Sequence, residues 1–294
     1  MSLSSEDTAP LFAPLLGIEA AAASHPGRVR ENNEDHYLVA RLGRSLEVVA
    51  TNVPDGELPT RFDEAGWILV VADGMGGSEA GEVASRMAIE AGLFHHLARP
   101  TWYLQADVEE AGRVLERMRD LLDRVHRDVV RVAANDRALA GMGTTLTAAY
   151  ATGPNLFLAH VGDSRAYRLR GGALEQITRD QTLVQQLVDQ GSIQPEAAAR
   201  HPLRHVLSHA VGSDGLERLP SDLHHLTLAD GDRLLLCSDG LSDPLDDGEI
   251  AKILVAAETP RQACDGLIGA ALEGGGPDNV TCLVADVALA SVGA

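Results

Sequence analysis

Positive charge is scarce in this sequence, and lysine is almost missing from it. Lys252 is the only lysine, and 24 lysine and arginine residues stand against 43 aspartate and glutamate residues, which gives a formal net charge of −19. Nucleic acids and anionic membranes attract proteins through clustered positive charge. We therefore expect neither as a partner, and an anionic ligand would have to be attracted locally by arginine or by metal ions.

Aromatic residues and cysteines are also few. Aromatic side chains make up 3% of the residues, so alanine, valine and leucine must fill the core of a chain whose apolar content is 45%. The three cysteines, Cys237, Cys264 and Cys282, form no CxxC pair. Cys237 and Cys282 lie inside apolar runs, where cysteine behaves as a small buried hydrophobe. Such thiols fit a reducing compartment, and we expect a cytoplasmic protein.

A long apolar segment is missing too. No uninterrupted apolar stretch approaches the roughly 20 residues that a membrane-spanning helix needs. Glu6 and Asp7 stand near the N-terminus, where a signal peptide would carry basic residues. We therefore expect a soluble protein without a membrane span. Its length of 294 residues fits one large two-layer domain.

Five aspartates stand at turns that border apolar segments. Asp73, Asp163 and Asp239 follow strand-like runs, whereas Asp35 and Asp278 precede such runs. Because an unpaired carboxylate cannot lie in an apolar core, these residues must sit along sheet edges. If those edges coincide, each pair of carboxylates at about 4 Å would cost on the order of 4 kcal/mol at an effective dielectric constant of 20. Bound divalent cations would offset that cost.

The spacing of apolar residues predicts both helices and strands. One helix is predicted over residues 78–97 and a second over 104–132, where apolar residues recur every three or four positions. The stripe on the second helix could be a coiled-coil seam, but packing on a sheet or on the first helix is favoured. Two more helices are predicted over 249–257 and 261–272. Because strands come in groups and helices in pairs, the pattern indicates an α+β protein with mostly antiparallel sheets.

Two segments differ from this pattern in composition. Residues 1–22 are rich in alanine, serine and proline and are expected to form a weakly ordered arm before a domain over residues 23–290. Residues 181–222 begin with a short predicted helix over 182–190, contain several prolines and lack a strong strand. We expect this second segment to form a mobile flap.

Six short motifs occur in order from about residue 24 to residue 287. They are Arg30-x4-Asp35, Asp73-Gly74-x-Gly76-Gly77, Gly141-x-Gly143-Thr144-Thr145, Gly162-Asp163-Ser164-Arg165, Ser238-Asp239-Gly240-x-x-Asp243 and Asp278-Asn279. Each motif alone is weak, because Asp-Gly is an ordinary turn. Together they resemble the PPM family, the metal-dependent type 2C Ser/Thr protein phosphatases, and the chain looks like a bacterial member.

The resemblance implies a particular α+β fold, the αββα sandwich. Two antiparallel sheets would lie face to face, with a pair of helices on each outer side. The first two predicted helices would be one pair, and the two helices between residues 249 and 272 would be the other. A metal cluster would lie in a cleft at one end of the sandwich.

The resemblance also implies a centre for two metal ions. Asp73 would bridge both ions, the Gly74 carbonyl would join it on one of them, and Asp239 and Asp278 would hold the other. The residue types agree independently, because carboxylate and carbonyl oxygens suit Mg²⁺ or Mn²⁺. Zinc is disfavoured, because no cluster of histidine and cysteine has zinc-ligand spacing.

Further carboxylates would surround these two ions. By the same resemblance, Glu34 and Asp35 would orient the site, either directly or through bound water. Asp163 and Asp243 would combine with Asp239 to hold a third, weaker ion. The expected cofactors are therefore two Mn²⁺ or Mg²⁺ ions, with room for a third.

The activity implied by the resemblance is hydrolysis of phosphoserine and phosphothreonine in proteins. Two cations about 3.5–4 Å apart can share a water or hydroxide, lower its pKa and align it for in-line attack on phosphorus. Arg30 would bind two phosphate oxygens through its planar guanidinium. Arg30, Asp73 and Asp239 are thus the candidate catalytic residues, with Arg30 also binding substrate, and no phosphoenzyme is expected.

The expected partners follow from that activity. They are phosphorylated proteins, namely Ser/Thr kinases and their substrates, so that the enzyme would reverse bacterial kinase signalling. We expect it to act as a monomer.

Two positions depart from the family pattern. Many eukaryotic relatives place histidine directly after Asp-Gly as a candidate general acid, whereas Met75 stands here and cannot donate a useful proton. A metal-bound water or a group from the flap would then have to protonate the leaving alkoxide. Gln181 stands where relatives often carry Asp-His, and no role is assigned to it.

Several histidines are open to a structural interpretation. His36 and His160 are expected to pack or hydrogen-bond within strands near the site. His201, His205 and His209 are spaced by four residues, as on a metal-binding helix, but a proline interrupts the run. They are therefore expected to be surface residues of the flap.

Two other functions remain open. The chain could be a non-catalytic module that binds phosphoproteins, although every metal position keeps its carboxylate and Arg30 is present. It could also be a different binuclear phosphohydrolase that acts on phosphodiesters or small phosphate esters. Manganese-dependent release of phosphate from a phosphothreonine peptide would separate the three functions.

Overall fold

The computed structural model describes residues 15–54, 61–76, 80–98, 108–198 and 201–290. The strands in these ranges are β1 (Leu15–His25), β2 (Asp35–Glu47), β3 (Arg61–Met75), β4 (Gly143–Thr144), β5 (Leu146–Thr152), β6 (Asn155–Val161), β7 (Arg165–Arg170), β8 (Ala173–Gln176), β9 (Asp222–Thr227), β10 (Arg233–Cys237) and β11 (Val280–Ala290). The α-helices are α1 (Ala80–Leu97), α2 (Val108–Asn135), α3 (Leu183–Asp189), α4 (Pro195–Ala198), α5 (Asp239–Ser242), α6 (Asp247–Ala256) and α7 (Pro260–Glu273).

The strands form two sheets in which every pairing is antiparallel. The first sheet has the order β1-β11-β10-β7-β8, and the second has the order β2-β3-β5-β6-β9, with the short β4 beside β3. The expected α+β class with antiparallel sheets is confirmed.

Strand β10 shows how the two sheets are layered. Leu234 and Leu236 belong to the core between the sheets, which also contains apolar residues of β3, β5 and β6. Leu235 and Cys237 point to the other face and pack in a second core with residues of α6 and α7. Because successive side chains of a strand alternate between faces, a strand covered on both sides is apolar throughout.

The second sheet is covered by α1 and α2. Val70 and Ala72 of β3 share a core with Ala84 of α1 and Val125 of α2. The apolar stripe of α2 therefore packs against α1 and the sheet, as favoured above. The layers are thus helix pair, sheet, sheet, helix pair, which is the predicted αββα sandwich. The predicted first residues of α1 and α2 lie outside the described residues.

Helices α6 and α7 start at capping residues. The Asp246 carboxylate accepts the Glu249 N–H at 2.8 Å, while the Glu249 carboxylate accepts the Asp246 N–H at 3.0 Å. This capping box places the start of α6 at Asp247, two residues before the predicted start. Thr259 caps α7, whose first residue is Pro260. None of the helices in the described ranges is long and apolar enough to cross a membrane.

The predicted N-terminal arm is wrong for residues 15–22. Strand β1 begins at Leu15, and Leu16 and Ile18 are buried in the core between the sheets. Its run of alanines pairs with β11 over the whole length of the strand. Alanine gives little local indication of a strand, and the partner lies more than 250 residues away. Residues 1–14 lie outside the described ranges.

The C-terminal half of the predicted flap is packed into the fold. Val211 is fully buried and pairs with Thr144. His126 of α2 accepts a hydrogen bond from the Gly212 N–H and donates one to the Leu216 carbonyl, both at 3.1 Å. The expectation of a mobile flap over the whole of residues 181–222 is therefore wrong, because a buried helix side chain fixes the backbone of this half.

Candidate metal centre

The layer between the sheets changes from apolar to polar at one end of the sandwich. Asp73 follows Val71 on the same face of β3, and Val71 belongs to the core between the sheets. Asp35 is the residue opposite Asp73 in the register of β2 and β3. On the facing sheet, Ser238 follows Leu236 in the same way. The alternation of side chains therefore brings polar groups from both sheets together.

A hydrogen bond joins the sheets at this end. Ser238 Oγ donates to Asp35 Oδ2 at 2.7 Å and accepts the Thr281 N–H at 3.0 Å. The other oxygen, Asp35 Oδ1, is buried without a hydrogen-bond partner among the described residues. A buried carboxylate oxygen is rarely left in this state. A cation would satisfy it, so this atom supports the prediction that metal ions bind here.

A cleft of about 940 Å³ opens beside this layer. Its walls include Arg30 together with the predicted ligands Glu34, Asp73, Gly74, Asp163, Asp239, Asp243 and Asp278. Asp35 is 5% exposed and lies behind the wall, opposite Asp73. The tertiary structure thus brings together all the site residues predicted from the sequence.

Burial and mutual repulsion raise the pKa values of these carboxyl groups. Burial raises the pKa of Asp35 to about 7, and the charges of Asp239 and Asp278 add to the effect. Burial followed by the charges of Asp243 and Asp278 raises the pKa of Asp239 to about 6. Burial, followed by the charge of Asp35, raises the pKa of Asp73 well above its ordinary value. The ionised cluster is therefore unfavourable unless cations neutralise it.

The start of α1 packs closely against two predicted ligands. The Gly74 N–H donates to the Glu34 carbonyl at 3.2 Å. A side chain on Gly74 would collide with the Gly81 carbonyl of α1, and a side chain on Gly81 would collide with the Glu34 carboxylate. Gly81 was not identified from the sequence, because no local motif marks a glycine that is needed only for a close approach between distant segments.

Asn279 organises the loop that carries Arg30. Its side-chain oxygen accepts the Glu34 N–H at 2.8 Å, and its Nδ2 donates to the carbonyls of Pro26 and Asn32 at 3.0 and 2.8 Å. The Asp278-Asn279 motif thus combines a predicted ligand with a residue that fixes the opposite wall. The second role was not predicted.

Arg30 lies at the edge of the cleft. Its side chain is 58% exposed, and its Nη2 lies 2.7 Å from Asp278 Oδ2. The hydrogen bond and charge of Asp278 raise the already high pKa of Arg30 further. The guanidinium is therefore charged and held at the cleft by one nitrogen, so it can present its other N–H groups to an anion.

Gln181 holds the N-terminal end of the flap beside Asp163. Its N–H and side-chain oxygen bind the carbonyl and N–H of Gly162, and its carbonyl accepts the Ser208 N–H at 2.8 Å. Its Nε2 donates to the Pro220 carbonyl at 3.2 Å. The residue to which the sequence assigned no role therefore ties both ends of the flap to the turn before Asp163.

Of the histidines near the site, His160 is buried beside the cleft, whereas His205 is exposed and lines it. His160 is fully buried, with Nδ1 accepting from Thr147 Oγ1 at 2.9 Å and Nε2 donating to the Gly162 carbonyl at 3.0 Å. Burial lowers the pKa of His160 to about 4, so it is a neutral structural residue. His36 Nδ1 lies 2.9 Å from Ser85 Oγ. His205 is exposed on the flap, as expected, but it also lines the cleft.

Comparisons with known proteins agree with this architecture. The family profile for protein phosphatase 2C matches residues 55–261. The chain belongs to the protein phosphatase 2C family. It is 42% identical over 276 residues to the serine/threonine protein phosphatase PstP of Mycobacterium tuberculosis, covering 92% of this chain and 45% of that protein. The chain therefore spans less than half the length of this relative. It is 36% identical to the serine/threonine phosphatase stp of Listeria monocytogenes over 219 residues, which cover 74% of this chain and 84% of that protein.

Solved structures of protein phosphatase 2C relatives share the fold. The crystal structure of M. tuberculosis PstP/Ppp has a TM-score of 0.72 and 39% identity, covering 93% of this chain and 99% of that one. The PstP catalytic domain in complex with two manganese ions has a TM-score of 0.71 and 38% identity, with the same coverage. Stp1 of Staphylococcus aureus has a TM-score of 0.74 and 31% identity, covering 95% and 98%. The family expected from the six motifs is confirmed.

Proposed function

We propose that this protein is a metal-dependent phosphatase that hydrolyses phosphoserine and phosphothreonine in proteins. The observation that carries the proposal is the unsatisfied, buried Asp35 Oδ1, which lies behind a cleft lined by carboxyl groups with raised pKa values and by Arg30. Oxygen atoms of this kind suit Mn²⁺ and Mg²⁺. The manganese-bound PstP domain supports the choice of cation.

The residues that would hold the ions are those predicted above. Asp73 and the Gly74 carbonyl would hold one ion, and Asp73 would share a second with Asp239 and Asp278. Asp163 and Asp243 would combine with Asp239 to hold a third. Glu34 and Asp35 would orient this set. When bound, the ions would supply an acidified water for in-line attack on phosphorus and would neutralise charge on the phosphate.

The protein itself would position the reacting groups. Thr145 Oγ1 accepts the Asp73 N–H at 3.0 Å, and the Asp73 carbonyl accepts the Thr145 N–H at 2.8 Å, which fixes the backbone of Asp73. Arg30 would bind two phosphate oxygens through its fork of N–H groups. Met75 is 41% exposed in the cleft and cannot protonate the leaving group.

We propose that the phosphate ester is hydrolysed directly by water, without a phosphoenzyme. Ser164 is the residue of the motifs that could be considered as a nucleophile. It is fully buried, and its Oγ lies 2.7 Å from Thr145 Oγ1. A hydroxyl in that position cannot approach a phosphate in the cleft. We also propose that the enzyme reverses bacterial Ser/Thr kinase signalling. It would act in the cytoplasm and as a monomer. The three buried cysteines are free thiols, as a reducing compartment requires.

Phosphate release from a synthetic phosphothreonine peptide tests the proposal. We expect turnover with Mn²⁺, none after treatment with a chelator, and one oxygen from ¹⁸O-labelled water in each released phosphate. Bis-p-nitrophenyl phosphate serves as the diester comparison. Faster turnover of the diester would favour a different binuclear phosphohydrolase, and bound Mn²⁺ without any turnover would favour a binding module.

Substitution of Arg30 tests how phosphate is bound. Arg30→Ala should raise KM for the phosphopeptide by about tenfold to a hundredfold, because charge-assisted hydrogen bonds contribute about 1.5–3 kcal/mol. The effect on kcat should be smaller. Arg30→Lys should recover only part of the loss, since an ammonium lacks the guanidinium fork. Arg28→Ala is the matched control, because Arg28 lies in the same loop but outside the cleft wall. An unchanged KM in Arg30→Ala would show that another group binds phosphate.

A further inference from the structure

His205 is held over the cleft by hydrogen bonds on both sides. The Leu183 N–H, at the start of α3, donates to the Val206 carbonyl at 2.8 Å, and the Val206 N–H donates to the Leu203 carbonyl at 3.1 Å. The Ser208 N–H donates to the Gln181 carbonyl at 2.8 Å. The turn that carries His205 is therefore fixed to α3 and to Gln181, and its imidazole points towards Asp239 and Asp243.

The imidazole forms a compact group with two carboxylates. His205 Nδ1 lies 3.2 Å from Asp243 Oδ2 and 3.9 Å from Asp239 Oδ2. One ligand atom from each of the three residues lies within 4.8 Å of the other two. In an octahedral site with bonds of about 2.1 Å, neighbouring ligand atoms are about 3.0 Å apart and opposite ones about 4.2 Å apart. The two distances from His205 Nδ1 lie within this range, as expected for ligand atoms that share one cation.

A nitrogen ligand would change the chemistry of this position. Asp239 and Asp243 offer only oxygen, which suits Mg²⁺ and Mn²⁺ alike, whereas imidazole is a ligand of transition-metal ions and a poor one for Mg²⁺. Among the described residues that line the cleft, His205 is the only histidine. It is also the only one of the three ligands that comes from the flap.

We propose that His205 is a ligand of the cation held by Asp239 and Asp243, so that this ion ties the flap to the metal centre. The inference rests on the proposed metal-dependent function. It has two consequences. The site prefers Mn²⁺ to Mg²⁺, and cation binding adds a link between the metal centre and the turn at residues 203–206, which hydrogen bonds already hold to α3 and to Gln181.

Pulsed electron paramagnetic resonance of Mn²⁺ bound to the full chain tests the ligand directly. The protein is labelled with ¹⁵N in histidine alone, and Mn²⁺ is added in increasing equivalents. We expect a ¹⁵N coupling in the wild type that is lost in His205→Ala and retained in His209→Ala. His209 is a matched control, because it lies on the same flap with its Nδ1 3.1 Å from Ser208 Oγ and outside the cleft wall.

Cation affinities provide a second measurement. His205→Ala should raise the Kd of the weakest Mn²⁺ site by about tenfold or more, while the Kd for Mg²⁺ changes less. Mn²⁺ should also slow amide exchange at residues 203–206 in the wild type and not in His205→Ala.

The outcomes separate this inference from the proposed function. Bound Mn²⁺ without histidine coupling, or an equal loss of Mn²⁺ and Mg²⁺ affinity, would overturn the role of His205 and leave the phosphatase proposal intact. Failure of the wild type to bind Mn²⁺ at all would overturn both.

Discussion

Asp73→Asn is expected to lower kcat by about 10³-fold or more while the protein stays folded. Asp73 is the carboxylate proposed to join both ions, and an amide is a much weaker ligand for Mn²⁺ or Mg²⁺. The bonds between Asp73 and Thr145 that hold this end of β3 use backbone atoms of Asp73, so the substitution leaves them in place. Steady-state kinetics with a phosphothreonine peptide and Mn²⁺, with circular dichroism of the same sample, measure the two effects.

The same variant should be more stable than the wild type when no metal is present. Burial and the neighbouring carboxylates raise the pKa of Asp73, so its charge opposes folding at pH 7.5. Asparagine removes that charge at nearly constant volume. In a chelator, Asp73→Asn should therefore raise Tm, and Mn²⁺ should add little to it. Asp265→Asn, on the exposed face of α7, is the control for loss of one charge. Wild-type turnover in Asp73→Asn would show that the centre has been assigned wrongly.

The second large effect is a fall in metal-free stability as pH rises. The folded-state pKa values are about 7 for Asp35 and about 6 for Asp239, whereas an unfolded aspartate titrates near 3.9. Between about pH 4 and pH 7 the folded state therefore binds more protons than the unfolded state. The free energy of unfolding falls over that range and stays low above it. The loss between pH 5.5 and pH 7.5 should be on the order of 3 kcal/mol.

Urea unfolding at the two pH values, with chelator and with Mn²⁺, measures this effect. Mn²⁺ should stabilise the protein more at pH 7.5 than at pH 5.5, because its ligands must be deprotonated. Asp35→Asn should flatten the pH dependence of the free energy of unfolding, because an amide does not titrate in this range. The variant should keep its fold, since the amide oxygen can still accept the hydrogen bond from Ser238. Metal-free stability that rises from pH 5.5 to pH 7.5 would contradict the electrostatic account of the cluster.

Much of the site could be predicted from the sequence, because the position of each carboxylate depends on the residues next to it. A carboxylate that ends an apolar strand has to lie where the core meets solvent, and this holds for Asp73 and Asp239 whatever their partners are. The period of 3.6 in the apolar pattern of α2 and the continuous apolar run of β10 each come from the geometry and burial of a single element, which is why both were predictable. Six ordered motifs then identified the family.

The remaining features depend on segments that are distant in the sequence. The alanines of β1 form a strand because β11 pairs with them, and the flap is packed because Val211 and His126 are buried together. Gly81 and Asn279 matter through contacts with Glu34, which lies 47 and 245 residues away. Composition and periodicity carry no information about such pairs, because burial and close approach are created only when the chain folds.

Reading the residues alone was enough to identify the family, strands with a strong apolar pattern such as β10, and the carboxylates that must avoid the core. The unsatisfied oxygen of Asp35 behind the cleft, and the approach of His205 to Asp239 and Asp243, became visible only in the folded chain. The two kinds of feature differ in how far apart in the sequence the interacting residues lie. Side-chain direction and local capping are fixed within a few residues, whereas the electrostatic cost of gathering like charges, and the groups that offset it, exist only between parts of the chain that folding brings together.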